Sequence, residues 1–444
     1  MGADPGKAET EAEGGGGSES DGAEAGIGVR NLDSVVKVYA LHNEPNWAQP
    51  WQRKRQEAST SSAFVVRTPA RTRALITNAH AVEFASMVKV RARGRDEKHV
   101  ASVAGLAPDA DLALLSVSSS DFWEDSMEPL ELAGLPQLQS KILAVGFPIG
   151  GESLAVTSGV VSRVEVIPYQ HGGQQLLAVQ ADSAINAGNS GGPAVDSEGR
   201  CRGVAFQSLK EESAQNIGYI IPTHVVEHFL ADVFENHAFY CYYPILGVEL
   251  QCMESPHLRQ AKKMEKGQKG VLLQRIEPTL PVASHLQKGD VLLSFDETPI
   301  GNDASIAFRN GERIHFSYLV SSKFHNETAK VDILRDGQMH SLDIPLSRPK
   351  RLVPSHMNDV SPKYFVVGSF VFTTLSAPYL RSCYGKDYEL DSPVRLGAWQ
   401  LLFVPADQPL SRSSAGLSCS RQAHAWHGAA RGRRGCCAQP SLGR

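Results

Sequence analysis

The chain has 444 residues, enough for about three domains, and 42% of them are hydrophobic, as in ordinary globular proteins. The 44 Lys and Arg residues against 48 Asp and Glu residues give a net charge of −4, which excludes nucleic-acid binding driven by a general basic excess. Seven cysteines without a Cys-x-x-Cys pair exclude a disulfide scaffold or zinc ribbon and favour a reducing compartment.

The first segment, residues 1–30, is acidic and rich in glycine, which predicts a disordered leader. Its composition is the opposite of a signal or transit peptide, so we expect a location in the nucleus or cytoplasm. The longest uncharged stretch, residues 364–380, is interrupted by Gly, Ser, Thr and Pro. That pattern favours strands over a membrane helix, and we expect no membrane span.

The second segment, residues 31–238, contains many short apolar runs separated by Gly and Pro. Examples are 62–66, 74–77 and 141–146, and their pattern predicts an all-β barrel or sandwich. Apolar residues at helical spacing over 224–233 predict a helix that closes this unit.

Two further segments have strand patterns. Residues 240–348 predict a second β-rich domain, and residues 349–396 predict the opening strands of a third, at 364–367, 370–374 and 380–382. The third domain is never completed, because residues 397–444 are rich in Arg, Gly and Ser and predict a disordered tail.

The most specific motif is Gly188-Asn189-Ser190-Gly191-Gly192-Pro193. Glycines around a serine allow a tight turn that presents Oγ and lets neighbouring N–H groups converge on one point. That is what an acyl-transfer nucleophile and its oxyanion need. The alternative is a Gly-rich turn with only a structural role.

A serine nucleophile also needs a base and a group that orients it. His80 follows directly after a predicted strand, and Asp109 and Asp111 stand at the head of another. The chain order His, Asp, Ser is the order of chymotrypsin-type enzymes. The sequence therefore predicts a Ser-His-Asp site.

These residues and their surroundings resemble the Deg/HtrA family of ATP-independent serine endopeptidases, in particular the plant-type Deg proteases. The resemblance extends from about residue 31 to 396 and is carried by the segments 77–80, 109–115, 145–150, 157–162, 184–193 and 216–222. It implies a chymotrypsin-like double β-barrel followed by a PDZ domain and an incomplete second PDZ-like segment. Where the family usually has a Gly pair, this chain has Ser61-Ser62, a difference from which we expect little consequence.

The resemblance assigns roles to individual residues. Ser190 would be the nucleophile, His80 the general base and acid, and Asp111, rather than Asp109, the group that orients it. The oxyanion hole would be formed by Gly188 and Ser190, with Asn189 shaping the loop. We expect an apolar substrate pocket for small or medium aliphatic side chains, lined by Ala184, Ile185, Phe206, Gln207, Ser208, Ile217 and Gly218.

In the second domain, Leu246-Gly247-Val248 would offer backbone N–H groups to a peptide carboxylate while the peptide adds as a strand. The alternative is that this domain serves only for packing. The implied partners are unfolded or damaged proteins, peptide C-termini, and further copies of the chain in a homotrimer or larger oligomer.

Other functions are less well supported by the sequence. A peptide-binding, chaperone-like scaffold with latent activity is the second hypothesis, and the short basic run 431–434 gives little weight to a nucleic-acid partner. No His or Cys cluster has metal-ligand spacing, so we expect neither a metal site nor a cofactor. Nuclear or nucleolar relatives of the plant type agree with the location expected above.

Overall fold

The computed structural model describes residues 32–393, without 125, 170, 184, 186, 187, 212, 213, 310, 349–352, 369, 386 and 387. The side chains of 207–216, 389 and 390 are also outside the description. The predicted leader over 1–30 and the predicted tail over 397–444 lie outside the described residues.

The first barrel closes in the order β1-β2-β3-β6-β5-β4. Its antiparallel strands are β1 (Val35–His42), β2 (Glu57–Arg67), β3 (Arg73–Thr77), β4 (Ala85–Arg91), β5 (His99–Ala107) and β6 (Leu112–Ser116). Its interior is filled by β-branched and leucine side chains such as Val38, Val65 and Leu75, each fully buried. These residues fit a pleated, closed sheet because branched side chains pack well on its surface.

The second barrel closes in the order β10-β11-β12-β9-β8-β7. Its strands are β7 (Lys141–Gly146), β8 (Ala155–Pro168), β9 (Gln175–Asp182), β10 (Pro193–Val195), β11 (Cys201–Glu211) and β12 (Ala214–Pro222), followed by helix α1 (Thr223–Phe234). Phe64 and Ile76 of the first barrel share one buried cluster with Phe147 of the second and Phe229 of α1. The predicted double barrel and closing helix are confirmed.

The third unit is a small sheet in the order β13-β14-β15-β19-β20, with β16 paired to β15. Its elements are β13 (Val248–Gln251), α2 (Pro256–Ala261), β14 (Val271–Ile276), β15 (Val291–Phe295), β16 (Thr298–Pro299), β17 (Ser305–Ala307), β18 (Arg313–His315), α3 (Ser317–Ser321), β19 (Thr328–Arg335) and β20 (Gln338–Pro345). Strand β13 lies at the edge of this sheet, as peptide binding by strand addition requires.

This unit packs closely against the second barrel. One continuous buried cluster contains Val161, Val179 and Ile185 of the barrel together with Leu273 and Phe316 of the small sheet domain. The two units therefore share a hydrophobic core and are not connected by a linker alone.

The last described segment contains β21 (Tyr364–Val367), β22 (Phe370–Thr373), α4 (Ala377–Tyr384) and α5 (Tyr388–Asp391). The two strands pair as a hairpin, but the predicted strand over 380–382 is wrong. Ser376 caps α4 by accepting a hydrogen bond from the Tyr379 amide at 3.3 Å, and a proline occupies the first turn. Leu380 is fully buried on the resulting helix because helical spacing places it beside Ala377.

No helix among the described residues is long and apolar enough to cross a membrane.

Candidate functional site

The candidate site lies where three segments of the two barrels approach one another. The loop after β3 carries His80, the turn before β6 ends at Asp111, and the turn before β10 carries Ser190. A Cβ placed on Gly191 would lie 2.4 Å from Thr77 Oγ1, so the serine turn touches the end of β3. The structure thus brings the three sequence-predicted segments to the junction of the barrels.

Asp111 is held by both its backbone and its carboxylate. It ends a short 3₁₀-helix (Pro108–Ala110) in the left-handed conformation, with φ 52° and ψ 43°, which Asp tolerates better than most residues. Its backbone carbonyl accepts a hydrogen bond from Asn78 Nδ2 at 2.9 Å, and the residue is only 2% exposed. Asn78 of the Thr-Asn-Ala-His motif therefore fixes the turn that carries the carboxylate.

The His80 imidazole is oriented by Asp111. Nδ1 lies 2.7 Å from Oδ2 and 3.0 Å from Oδ1, and the His80 backbone N–H also donates to Oδ1 at 3.0 Å. Burial acts to lower the pKa of His80, but the Asp111 carboxylate outweighs it and raises this pKa above its ordinary value. Because Nδ1 faces Asp111, Nε2 is the ring nitrogen that is available for proton transfer.

The turn that carries Ser190 depends on glycine. Gly191 has φ +82°, and a Cβ there would lie 2.2 Å from the Ser62 carbonyl oxygen, so only glycine fits without displacing the first barrel. The Gly191 N–H donates to the Ala205 carbonyl at 2.8 Å, which holds the turn on β11. Within the described part of the chain, the N–H groups of Gly188 and Ser190 donate to no backbone carbonyl.

Ser190 itself is half-buried, and its hydroxyl forms no hydrogen bond with His80 among the described residues. Hydrogen bonds between catalytic groups are often long in ligand-free enzymes and tighten with substrate. Asn189 is 1% exposed, and neither polar atom of its side chain has a hydrogen-bond partner in the described residues.

Ser62 connects the first barrel to this turn, a role that sequence reasoning missed. Its hydroxyl donates to the Gly188 carbonyl at 2.7 Å and accepts from the Phe147 N–H at 2.7 Å. Its backbone N–H donates to the Ser190 carbonyl at 3.0 Å. The signal was present as the departure from the usual Gly pair, but only the fold shows that the Ser62 hydroxyl faces the turn that carries Ser190.

The predicted pocket residues lie on β12, on the neighbouring strand β11 and in the loop that follows β9. Ile185 is 4% exposed, and its side chain would be 2.7 Å from a Cβ on Gly218, so the two are in close contact. Ile217 is half-buried, and Phe206 is buried against the Tyr169 ring at 4.6 Å between centroids. On β11, Gln207 and Ser208 pair with Tyr219 and Gly218, but their side chains are outside the description, as is Ala184.

The predicted peptide loop of the small sheet domain is compact. Gly247 has φ +70°, and its carbonyl accepts the Glu277 N–H at 2.8 Å. A Cβ there would lie 2.2 Å from Leu280 Cδ1, so the turn needs glycine. Leu246 is buried, and Val248 begins the edge strand β13.

A second group of titratable side chains lies beside His80. The carboxylate of Glu83 contacts His171 and His356, and the His171 ring lies 6.1 Å from the His80 ring. Burial acts to raise the pKa of Glu83, but its contacts with both histidines lower it to about 2. Burial likewise acts to lower the pKa of His171, and Glu83 raises it to about 9. These residues come from distant segments, so no sequence motif could have revealed them.

Comparisons with known proteins agree with this arrangement. A trypsin-like peptidase domain model matches residues 61–204, and a PDZ domain model matches residues 353–401. The HtrA-type protease AlgW, solved with a tripeptide, has a TM-score of 0.55 and 24% identity over 72% of this chain and 95% of that one. At that identity the likeness shows the fold alone.

Curated relatives from Arabidopsis thaliana are more similar in sequence. The chain is 47% identical to chloroplastic Protease Do-like 2 and 42% identical to mitochondrial Protease Do-like 4, over 79% of this chain in both cases. It is 40% identical to Putative protease Do-like 13 over 82% of this chain and 73% of that protein. The chain spans 56% of Do-like 2 and 66% of Do-like 4.

The expected location in the nucleus, nucleolus or cytoplasm is wrong. Do-like 2 is named as a chloroplastic protein, and Do-like 3 and 4 are named as mitochondrial. The expectation rested on the composition of residues 1–30, which reports on one kind of targeting segment and not on the compartment itself.

Proposed function

This chain belongs to the Do-like (Deg/HtrA) family of serine proteases, and on that premise we propose that it is an ATP-independent serine endopeptidase that cleaves unfolded or damaged proteins. The observation that supports this most is the buried Asp111 carboxylate on His80 Nδ1, next to the glycine-held Ser190 turn. A scaffold without activity would not need an imidazole held in this orientation by a buried carboxylate. No cofactor is required for the chemistry.

In this proposal the reaction follows acyl transfer. His80 Nε2 takes the Ser190 Oγ proton as Oγ attacks the substrate carbonyl, while Asp111 stabilises the imidazolium without accepting its proton. The Gly188 and Ser190 N–H groups stabilise the oxyanion of the tetrahedral intermediate. His80 then gives the proton to the leaving amine, and a water activated in the same way releases the acyl group and regenerates the serine.

The proposed substrate preference is a small or medium aliphatic residue before the scissile bond. The contact of Ile185 with Gly218 and the neighbouring Ile217 supports an apolar pocket, in which an unpaired charged side chain would cost several kcal/mol. Cleavage-site profiling on a denatured proteome tests this, and a profile dominated by Arg or Lys would contradict it.

We further propose that the edge strand β13 and the loop at Gly247 bind extended peptides by their C-termini. Because this domain shares a core with the second barrel, binding should be measured on the full chain carrying Ser190→Ala. Gly247→Asp should weaken binding of a fluorescent C-terminal peptide, and amidation of the peptide should do the same. Equal binding of free and amidated peptides would contradict carboxylate recognition.

Assembly and location are proposed from the family. We expect a homotrimer or a multiple of it, built through the barrels, and an organelle as the compartment, as the names of Do-like 2 and 4 indicate for those proteins. Sedimentation of the purified chain tests the first expectation.

The decisive experiment for the activity is labelling with a fluorophosphonate probe, with and without unfolded casein. We expect the label on Ser190, and loss of both labelling and casein cleavage in Ser190→Ala. Ser162→Ala, an exposed serine on β8, is the matched control and should behave as the parent. Casein cleavage by Ser190→Ala at the parent rate would refute the proposal.

A further inference from the structure

Three side chains from distant segments converge at the edge of the candidate site. Glu83 lies three residues after His80, His171 lies in the turn between β8 and β9, and His356 comes from the segment that follows β20. One carboxylate oxygen and one ring nitrogen from each histidine lie within 4.8 Å of one another. The cluster therefore joins the first barrel, the second barrel and the segment after the small sheet domain.

The contacts inside this cluster are short. His171 Nε2 lies 2.8 Å from Glu83 Oε2, and His356 Nε2 lies 2.5 Å from Glu83 Oε1. Both ring nitrogens and Glu83 Oε1 are buried, and the described residues give them no further hydrogen-bond partner. Glu83 is only 7% exposed. Buried donor atoms that converge this closely can be held together either by shared protons or by a bound ion.

The surroundings hold these three side chains in place. Asn358 contacts the far nitrogen of His356, with its Oδ1 3.1 Å and its backbone nitrogen 3.0 Å from Nδ1, so Nε2 is the nitrogen turned to Glu83. As a metal ligand through Nε2, His356 would hold its proton on Nδ1 and donate it to Asn358 Oδ1. Asp359 accepts the Phe84 N–H at 2.8 Å and fastens the same segment next to Glu83. The turn that carries His171 packs against the Asp109 backbone. A Cβ placed on the neighbouring Gly172 would lie 2.4 Å from Asp109 Cα. Supporting contacts of this kind fix ligand orientation at metal centres.

We propose that Glu83, His171 and His356 form a binding site for a divalent transition-metal ion of the Zn²⁺ class. Two imidazoles and one carboxylate are a donor set that suits Zn²⁺, with a fourth position open to water. The ion would link the segment after the small sheet domain to the loop that carries His80. It takes no part in the serine chemistry, and the inference does not depend on the proposed function.

This proposal departs from the sequence-based expectation of no metal site. That expectation rested on the absence of short ligand spacing, whereas these three ligands come from separate segments of the chain. The competing explanation is an ion-pair network in which both histidines hold a proton against Glu83. The two explanations differ in what happens when metal is added.

The test uses the purified full chain with Ser190→Ala, which prevents self-cleavage, titrated with Co²⁺ and then Zn²⁺. We expect one equivalent of Co²⁺ to produce visible d–d absorption without a thiolate charge-transfer band, and Zn²⁺ to displace it. Glu83→Gln, His171→Gln and His356→Gln should each weaken binding by at least about tenfold. His257→Gln, an exposed histidine on α2, is the matched control and should bind as the parent.

A second measurement covers variants that fold poorly. Zn²⁺ should raise the melting temperature of the parent and of His257→Gln, because an ion that binds only the folded state stabilises it. It should leave the three ligand variants unchanged. Absence of saturable binding, or binding that none of the three substitutions weakens, would overturn the proposal and leave the ion-pair network as the explanation.

Discussion

The two barrels have the same closed, six-stranded order but contribute to the candidate site in different ways. The first presents His80 and Asp111, whose geometry is fixed by a charged side chain that accepts two hydrogen bonds. The second presents Ser190 on a turn fixed by backbone contacts and by glycine at 191. The part of the candidate site with His80 and Asp111 is thus held by electrostatics, and the part with Ser190 by backbone conformation.

The barrels also differ in what they carry. The second barrel shares its core with the small sheet domain through Val161 and Val179. The first holds the later segment by polar contacts, such as Arg53 Nη2 to Ser361 Oγ at 3.2 Å and the Phe84 N–H to Asp359. We therefore expect substitutions where the first barrel meets the later segment to remove polar contacts, and substitutions where the second barrel meets the small sheet domain to disturb packing.

After the loss of activity expected for Ser190→Ala, the largest expected effect is that of Asp111→Asn. An amide in place of the carboxylate would hold His80 in the wrong tautomer, and we expect turnover to fall about 10⁴-fold with an unchanged melting temperature. Steady-state kinetics on an unfolded substrate would measure this. Asp109→Asn is the matched control. If that substitution caused the larger loss, the assignment of Asp111 would be reversed.

Ser62→Ala tests the connection between the barrels. It would leave the buried Phe147 N–H and Gly188 carbonyl without their partner, at about 1–3 kcal/mol, so kcat/KM should fall about 10- to 100-fold. The loss should appear mainly in kcat, and fluorophosphonate labelling should slow in parallel. Ser61→Ala, on the adjacent residue of β2, should change neither. A loss confined to melting temperature would mean that Ser62 is only structural.

His228 of α1 tests the attachment of the small sheet domain through pH. Its ring is stacked on Phe324 at 4.1 Å between centroids, its Nε2 lies 2.9 Å from the Lys323 carbonyl oxygen, and its Nδ1 has no partner among the described residues. Burial lowers the pKa of His228, while the Lys323 carbonyl, Asp232 and Glu327 act to raise it.

The direction in which stability changes with pH follows from this lowered pKa of His228. The folded chain prefers neutral His228. The stabilisation that this preference gives the folded state is therefore complete above the unfolded pKa of about 6.5, and it is lost as the pH falls toward the folded pKa. A difference of one between the two pKa values corresponds to about 1.4 kcal/mol. Denaturant unfolding below pH 6.5 should show a shallower pH dependence for His228→Phe than for the parent. An equal pH dependence would contradict this, and His257→Gln is the control.

The smallest effect is expected at the hairpin β21–β22. Phe365 is 59% exposed and stacks on Phe372 across the hairpin, so Phe365→Ser should change the free energy of unfolding by less than about 0.5 kcal/mol. Phe64 is fully buried between the barrels, and Phe64→Ala should cost about 3–5 kcal/mol. Equal losses in denaturant unfolding would show that the hairpin is covered by a partner in solution.

Much of the fold could be predicted because its signals are local. Alternating apolar runs and Gly or Pro turns predict the strands of both barrels, and helical spacing predicts α1. The wrong prediction of a strand over 380–382 also comes from reading local signals alone. Leu380-Arg-Ser reads as a strand by itself, whereas the Ser376 cap and the first-turn proline place Leu380 in a helix.

The sequence by itself determined the double-barrel class and predicted His80, Asp111 and the Ser190 turn as the candidate site, because each depends on residue types at fixed positions in short motifs. Only the tertiary structure decided that Ser62 holds the Gly188 carbonyl and that Glu83 meets His171 and His356. Those contacts join residues that are remote in the chain and depend on how barrel loops cross. Local propensity carries no information about such crossings, which are set by the packing of closed sheets against one another.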